Sequence, residues 1–266
     1  MAVAAASKSS ASPFVPRAGF ETVLAGASGR ALRVEGQWRP VIGLGEGRLR
    51  GHLLHVEVRE SCGALGETAV DRTALNPVDA ERIDLAAAEQ GLAALTPFEA
   101  SDTPPLVFLP TAWTTARAPR ARRRLLQITG QAQARLRMAP VAEMLGLDAG
   151  VPASQVREAA GLLQPIFRGV LARAALRRGR QADLSDCGLT GAAVEAGDLG
   201  ECRDAPAMLR TVLTLQRIGP GVMLHSLRSV AALHAARTAG ARWASLDIVQ
   251  AGWRLARDAE AALGED

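Results

Sequence analysis

The segment Gly219–Val249, GPGVMLHSLRSVAALHAARTAGARWASLDIV, constrains the fold more than any other stretch of the chain. Val222-Met223-Leu224 is a short apolar run of the kind that fills a buried strand, and it carries His225 and Ser226 just past its apolar centre. Val230, Leu233 and Ala236 then recur at helical spacing. Gly240 stands where a left-handed residue would close that helix. A second apolar run, Trp243 to Val249, follows at once. Strand, helix and strand joined by short connections make the crossover unit of parallel sheets and α/β barrels. Ligands of such units meet the C-terminal strand ends, which directs attention to His225–Arg228 and Asp247–Gln250.

The rest of the chain repeats this alternation after a different beginning. Ala31 to Leu44 and Leu49 to Arg59 read as two strands around the turn Gly45-Glu46-Gly47, an opening antiparallel hairpin. A short helix is expected over Phe20–Ala27, and a loop over Cys62–Thr73. Asn76-Pro77 supplies a cap and a first-turn proline for a long helix over Val78–Leu95. Further strands are expected at Leu106–Leu109, Val141–Leu145, Gly169–Ala175 and Leu189–Ala196. Helices are expected from Arg117 to Ala134, from Gln155 to Leu163 with Ser154 as cap, over Ala205–Gln216, and at the terminus over Trp253–Leu263. Eight or nine strands alternating with helices in 266 residues fit one α/β barrel, a fold of about 250 residues. Residues 1–18, rich in Ala, Ser and Pro, read as a disordered tail, and 19–266 as a single barrel domain.

Composition narrows the function classes. The formal charge is only +4, and Lys8 is the sole lysine, so the many arginines reflect residue choice rather than a dense positive field. The run Arg117, Arg120, Arg122, Arg123 and Arg124 is read as a solvated helix face, and nucleic acid is not an expected partner. Cys62, Cys187 and Cys202 are odd in number and unpaired in spacing, which argues against a disulfide framework or a zinc site. No apolar run reaches the 18 or so residues of a membrane span, and residues 1–17 lack the apolar block of a signal peptide, so a cytoplasmic protein is expected.

Motifs with catalytic associations have plainer readings. His52 and His55 are three apart on a strand and so point to opposite faces, against a ligand pair. His225, Ser226 and Glu143 could compose a Ser-His-carboxylate set, but no Gly-x-Ser-x-Gly elbow supports it. Gly43-Leu44-Gly45 joins strand to strand, so it is a turn and not a dinucleotide fingerprint. Cys187 lies beside Asp183 and Asp186, which disfavour a thiolate. Trp113, Trp243 and Trp253 are read as core or rim residues.

The segment WRPVIGLGEGRLRGHLLHVEVR, Trp38–Arg59, resembles the opening of the EAL domains of bacterial cyclic-di-GMP phosphodiesterases. In that family a strand runs through a Gly-containing turn to a second strand with Gly, Glu-Ala-Leu and a final Arg. Pro40-Val41-Ile42, Gly47-Arg48-Leu49, Gly51 and Arg59 hold those places here. The helix Asn76–Leu95 is similar to the family's first long helix, and LVFLP (Leu106–Pro110) sits at its Asn-containing strand. VMLHSLRSVAALHAARTAGARWASLDIV resembles its last repeat. The resemblance covers roughly residues 20–250 and implies a TIM-like (β/α) barrel of modified EAL type, entered by an antiparallel hairpin.

The resemblance also implies what is missing. Family chemistry uses carboxylates at strand ends to hold two metals that activate water. After Gly51, where the signature Glu belongs, the chain reads His52-Leu53-Leu54-His55, and Phe108 or Leu109 replaces the Asn. Ala172-Arg173-Ala174 stands for the Asp pair, Ala192-Ala193-Val194-Glu195 for the Lys strand, and Leu224-His225-Ser226-Leu227 for Glu-Gly-Val-Glu. Glu143 alone falls on a family carboxylate. The expectation is an inactive EAL-like signalling domain, without cofactor or metal, that binds a protein partner or a second copy of itself. A sensor that binds a cyclic dinucleotide without cleaving it is the first alternative, and a divergent phosphodiesterase the second. The expected barrel-mouth set is Arg39, Arg137, Glu143, Arg173, Glu195, His225 and Asp247.

Overall fold

The computed structural model describes residues 19–62, 66–98, 102–147, 150–174, 184–199 and 205–246. Eight strands close a barrel: β2 (Ala31–Gly43), β3 (Arg48–Ser61), β5 (Leu106–Ala112), β6 (Ala139–Leu145), β7 (Gly169–Arg173), β8 (Gly191–Glu195), β9 (Gly221–Leu227) and β10 (Trp243–Leu246). From β3 through β10 every neighbour is parallel. β2 runs against both of its barrel neighbours, pairing Val41 with Gly51 of β3 and with Ser245 of β10. The expected hairpin-entered barrel is therefore present. Two further strands, β1 (Phe20–Ala25) and β4 (Glu67–Ala69), pair with the outer ends of β2 and β3.

β2 and β3 are 13 and 14 residues long, about twice the length of the other barrel strands. Their lower parts close the barrel. Their upper parts, Leu32–Gly36 against Val56–Glu60, continue past it as an antiparallel sheet with β1 and β4 on its edges. This extension stands beside the barrel end where β5–β10 finish. Helix α1 (Pro77–Ala93) backs it, with Trp38 Nε1 donating to the carbonyl of Gly91 at 3.3 Å. Asn76 caps α1 by accepting from the Asp79 amide, as its sequence position predicts.

Inward and outward residues alternate along each strand. The inward set fills the barrel with Val41, Leu53, Leu106, Phe108, Ala139, Val141, Leu171, Ala193, Met223 and Trp243, and the Phe108 and Trp243 rings meet edge to face at 5.7 Å. The outward set packs under the helices α2 (Trp113–Arg117), α3 (Pro119–Leu136), α4 (Ala153–Leu163), α5 (Ala205–Leu215) and α6 (Val230–Thr238). Gly240 closes α6 at φ 82°, as expected.

Several local expectations need correction. Phe20–Ala25 is strand, not helix, because alternate residues of FETVLA are half-buried and it finds an edge on β2. The segment expected as loop before α1 holds β4 and a 3-10 turn at Arg72–Ala74 that Asp71 caps. The basic segment is two helices broken at Ala118 before Pro119, since a residue before proline is driven from helical to extended backbone. Ser154 lies inside α4, whose cap position is Pro152. The expected tail 1–18 and terminal helix 253–263 lie outside the described residues.

Glycine is required where strands of a small barrel approach most closely. A Cβ on Gly191 would lie 1.7 Å from the Gly221 carbonyl oxygen, and one on Gly51 1.9 Å from that of Leu106. Both obstacles are backbone, so neither can turn aside. We expect Gly191→Ala and Gly51→Ala each to lose about 1–3 kcal/mol or more, read as a lowered melting temperature by circular dichroism, whereas Gly161→Ala, which meets nothing, leaves it unchanged or higher.

Candidate functional site

Inward alternation carries polar side chains to the barrel mouth one step beyond the apolar layer. Val141 predicts an inward Glu143, Leu171 an inward Arg173, Ala193 an inward Glu195, Met223 an inward His225, and Trp243 an inward Ser245. β2 runs the other way, so Arg39, two residues before the inward Val41, arrives at the same end.

These groups form one connected network. The Arg173 guanidinium donates to Glu143 at 2.5 Å through one nitrogen and to Glu195 through another. His225 Nε2 lies 2.9 Å from the same Glu143 oxygen, and its Nδ1 lies 3.1 Å from Ser245 Oγ. An ionised carboxylate only accepts, so Nε2 carries a hydrogen. The Ser226 amide donates to Ser245 Oγ at 3.2 Å, Arg39 donates to Ser226 Oγ at 2.8 Å, and Ser226 also hydrogen-bonds Glu195. Ser226 can do this because its backbone is left-handed, φ 58°. That conformation costs a non-glycine residue about 1–2 kcal/mol. It sits at a bulge where β9 passes from the Leu224–Ala244 pair to the Leu227–Leu246 pair.

Burial governs the electrostatics. Glu143 is 1% exposed and His225 fully buried. Burial alone would raise the Glu143 carboxyl, but the His225 and Arg173 charges more than offset it and hold the group well below the ordinary carboxylate range. Burial likewise opposes ionisation of Glu195, and Arg173 foremost draws it below its usual value. Burial would lower the Arg173 guanidinium, but Glu143 and Glu195 outweigh it and raise it. His55, inward on β3 above the mouth, is lowered first by burial and then by Arg39.

Of the expected mouth residues, Arg39, Glu143, Arg173, Glu195 and His225 come together. Arg137 does not: it is the left-handed C-cap of α3, exposed, two residues before β6 begins and so at the far end of the barrel. Asp247 lies outside the described residues. Ser226 does not touch His225 as a nucleophile would. The serine on His225 is Ser245, which is fully buried, so the Ser-His-carboxylate reading is not carried by the geometry. His52 points away from the mouth and stacks on Phe98 at 5.8 Å, and burial lowers it to about 4.

A cavity of about 520 Å3 lies between the mouth and the β-extension, bordered by His55, Glu57, Arg72, Glu143, Arg173 and Glu195. Arg72 reaches it from the 3-10 turn and is paired there with the fully buried Asp84 of α1, which also accepts from the Ala112 amide at 2.7 Å. This pair escaped the sequence reading. Asp84 falls between Ile83 and Ala87 in the buried stripe of α1, and an acid inside an apolar stripe is the signal that could have found it.

No protein-family model and no curated protein matches the sequence. Solved structures match in three dimensions. The Bacillus subtilis YkuI protein, with an EAL domain and in complex with c-di-GMP and calcium, has a TM-score of 0.58 at 12% identity, covering 86% of this chain and 60% of that one. The EAL domain of FimX from Pseudomonas aeruginosa, bound to c-di-GMP, has a TM-score of 0.55 at 15% identity, covering 80% and 88%. Klebsiella pneumoniae BlrP1, in a manganese and c-di-GMP complex, has a TM-score of 0.57 at 12% identity, covering 86% and 57%. This chain has the EAL-type barrel fold. It spans less than two thirds of the YkuI and BlrP1 chains. Among the described residues no helix is long and apolar enough to cross a membrane.

A divalent pair needs several hard oxygen donors facing one point. Here the two mouth carboxylates, Glu143 and Glu195, both face Arg173, whose guanidinium holds the space between them. Among the described residues no three His, Cys, Asp or Glu side chains converge on a metal position. Among the described residues the donor set does not fit a metal pair.

Because Glu143 and Glu195 are depressed in the fold, they contribute stability above the ordinary carboxylate pKa near 4.5, and that contribution is lost as pH falls below it. His52, lowered to about 4, adds an earlier loss between pH 6.5 and 4, where only the unfolded chain takes up its proton. We expect Glu143→Gln to cost roughly 3–5 kcal/mol at neutral pH by removing the buried carboxylate that Arg173 and His225 share, and to flatten the acid limb below pH 4.5. Urea titrations across pH measure both.

Proposed function

We propose that this chain is a catalytically inactive EAL-fold module of bacterial signalling that acts by binding a protein partner. The observation that carries the reading is the Arg173 guanidinium between Glu143 and Glu195 at the barrel mouth. A fixed cation there repels divalent metals and occupies the oxygens they would need. It also leaves little for an anionic nucleotide. Arg173 is committed to two carboxylates, Arg72 to Asp84, and Arg39 donates to Ser226, so a phosphate would have to break existing pairs to gain a fork. A surface for protein contact is available on α5, where Leu209 and Leu213, one turn apart, are 42% and 53% exposed.

The test is isothermal titration of cyclic-di-GMP into the purified chain with and without Mg2+, followed by product analysis. We expect no binding and no hydrolysis in either condition. Metal-independent binding would replace the scaffold reading with a nucleotide sensor, and Mg2+-dependent turnover would restore a phosphodiesterase. Sedimentation of the wild type beside a Leu209→Glu, Leu213→Glu variant reads whether a second copy is the partner: concentration-dependent association lost in the variant identifies self-association through α5.

A further inference from the structure

Charge at the opposite end of the barrel is not balanced in the same way. A second cavity, about 260 Å3, lies under the N-terminal strand ends and is bordered by Arg50, Arg168, Arg242, Glu46 and the Trp243 ring. The three arginines come from three separate places in the chain. Arg50 is the extra residue of a β-bulge, since β2 and β3 pair Val41 with Gly51 and then Ile42 with Leu49. A bulge re-aims the side chain it carries. Its guanidinium reaches the carbonyl oxygens of Pro104 at 3.3 Å and Thr103 at 3.5 Å. Arg168 immediately precedes β7 and is fixed by its amide bond to the Pro140 carbonyl at 2.8 Å. Arg242 immediately precedes β10, and its guanidinium lies 4.7 Å over the Trp243 ring.

Among the described residues, the only carboxylate at this end within ion-pair reach of the three is Glu46. It lies 3.8 Å from Arg50 and is already engaged by Arg48 at 3.0 Å. Arg168 and Arg242 meet no carboxylate among the described residues. Three guanidiniums beside one shared acid leave a positive surplus, and planar forks of this kind match the oxygens of a phosphate. The volume is larger than a bare oxyanion needs, yet below the roughly 300–1,000 Å3 of cavities that hold drug-sized ligands. We propose that this floor cavity binds a small phosphomonoester, with the phosphate between Arg50, Arg168 and Arg242 and the short organic part against Trp243.

The experiment is calorimetric titration of the full chain at low ionic strength with two probes, glycerol 3-phosphate and inorganic phosphate. The ester should bind saturably and more tightly than phosphate alone. Arg168→Gln and Arg242→Gln should each weaken it about tenfold or more, the loss of a charge-assisted contact. Both side chains are exposed, so the variants should fold, and their melting temperatures verify it. Arg124→Gln makes the same charge change on α3, where the side chain pairs with Glu89, and should bind as the wild type does. Absence of saturable binding, or equal weakening in Arg124→Gln, overturns the site. Equal affinity for the two probes overturns the assignment to an ester.

Discussion

The antiparallel strand β2 is the constraint on which the remaining architecture rests. A barrel of parallel strands needs a crossover for every closure, whereas a strand that runs against both neighbours closes the ring from a hairpin alone. The hairpin can then be longer than the barrel is tall. Its surplus length becomes the sheet above the mouth, β1 and β4 cover the edges of that sheet, and α1 packs behind it. The reversed direction also decides which residues reach the mouth. On the parallel strands the polar residues come last, after the apolar layer. On β2 they come first, and so Arg39 meets Ser226 across 187 residues of sequence.

The mouth follows the rule that charge taken out of water must be paired. Glu143 is buried under the layer formed by Arg173 and His225, and each partner is itself held: Arg173 by Glu195, His225 by Ser245. The chain tolerates a left-handed Ser226 to complete the set, because that one residue supplies an amide to Ser245, an acceptor for Arg39 and a contact to Glu195. Asp84 and Arg72 repeat the pattern at the side of the cavity and tie the turn after β4 to α1 and to the end of β5. Burial of these pairs costs about as much as their attraction returns. Their contribution is therefore to fix geometry as much as to add stability.

The parts legible in the sequence were those with a period. Alternation within β6 to β10 and the capping signals at Asn76 and Gly240 located most strands and helices, and the resemblance to EAL strand-end positions singled out Glu143, Arg173, Glu195 and His225. What stayed hidden depended on partners distant in sequence. FETVLA becomes a strand because β2 offers an edge, and nothing local to Phe20–Ala25 records that edge. Arg137 resembled a mouth residue only by nearness to β6, since its distance from the strand's first residue, not its last, decides the end it serves. Arg50 was read as one more strand residue, because a bulge shows only when two strands are set in register. Asp84 was legible as an acid in an apolar stripe but was passed over as part of an amphipathic helix.

The position of Arg173 fixes how the two mouth carboxylates, Glu143 and Glu195, are held. Its planar fork reaches Glu143 and Glu195 with separate nitrogens, a geometry that the point charge of a lysine does not reproduce. Removing it would not leave two free ligands. Glu143 would still be held by His225, and two carboxylates facing each other in a shielded site raise each other's pKa, so that one tends to keep a proton. A protonated acid donates a hydrogen bond and is a poor ligand for a hard cation. A metal pair would need hard oxygen donors beyond these two carboxylates, whereas the inward His55, Arg173 and His225 of β3, β7 and β9 present nitrogen. Among the described residues the charged groups of the mouth are thus committed to one another from strand to strand.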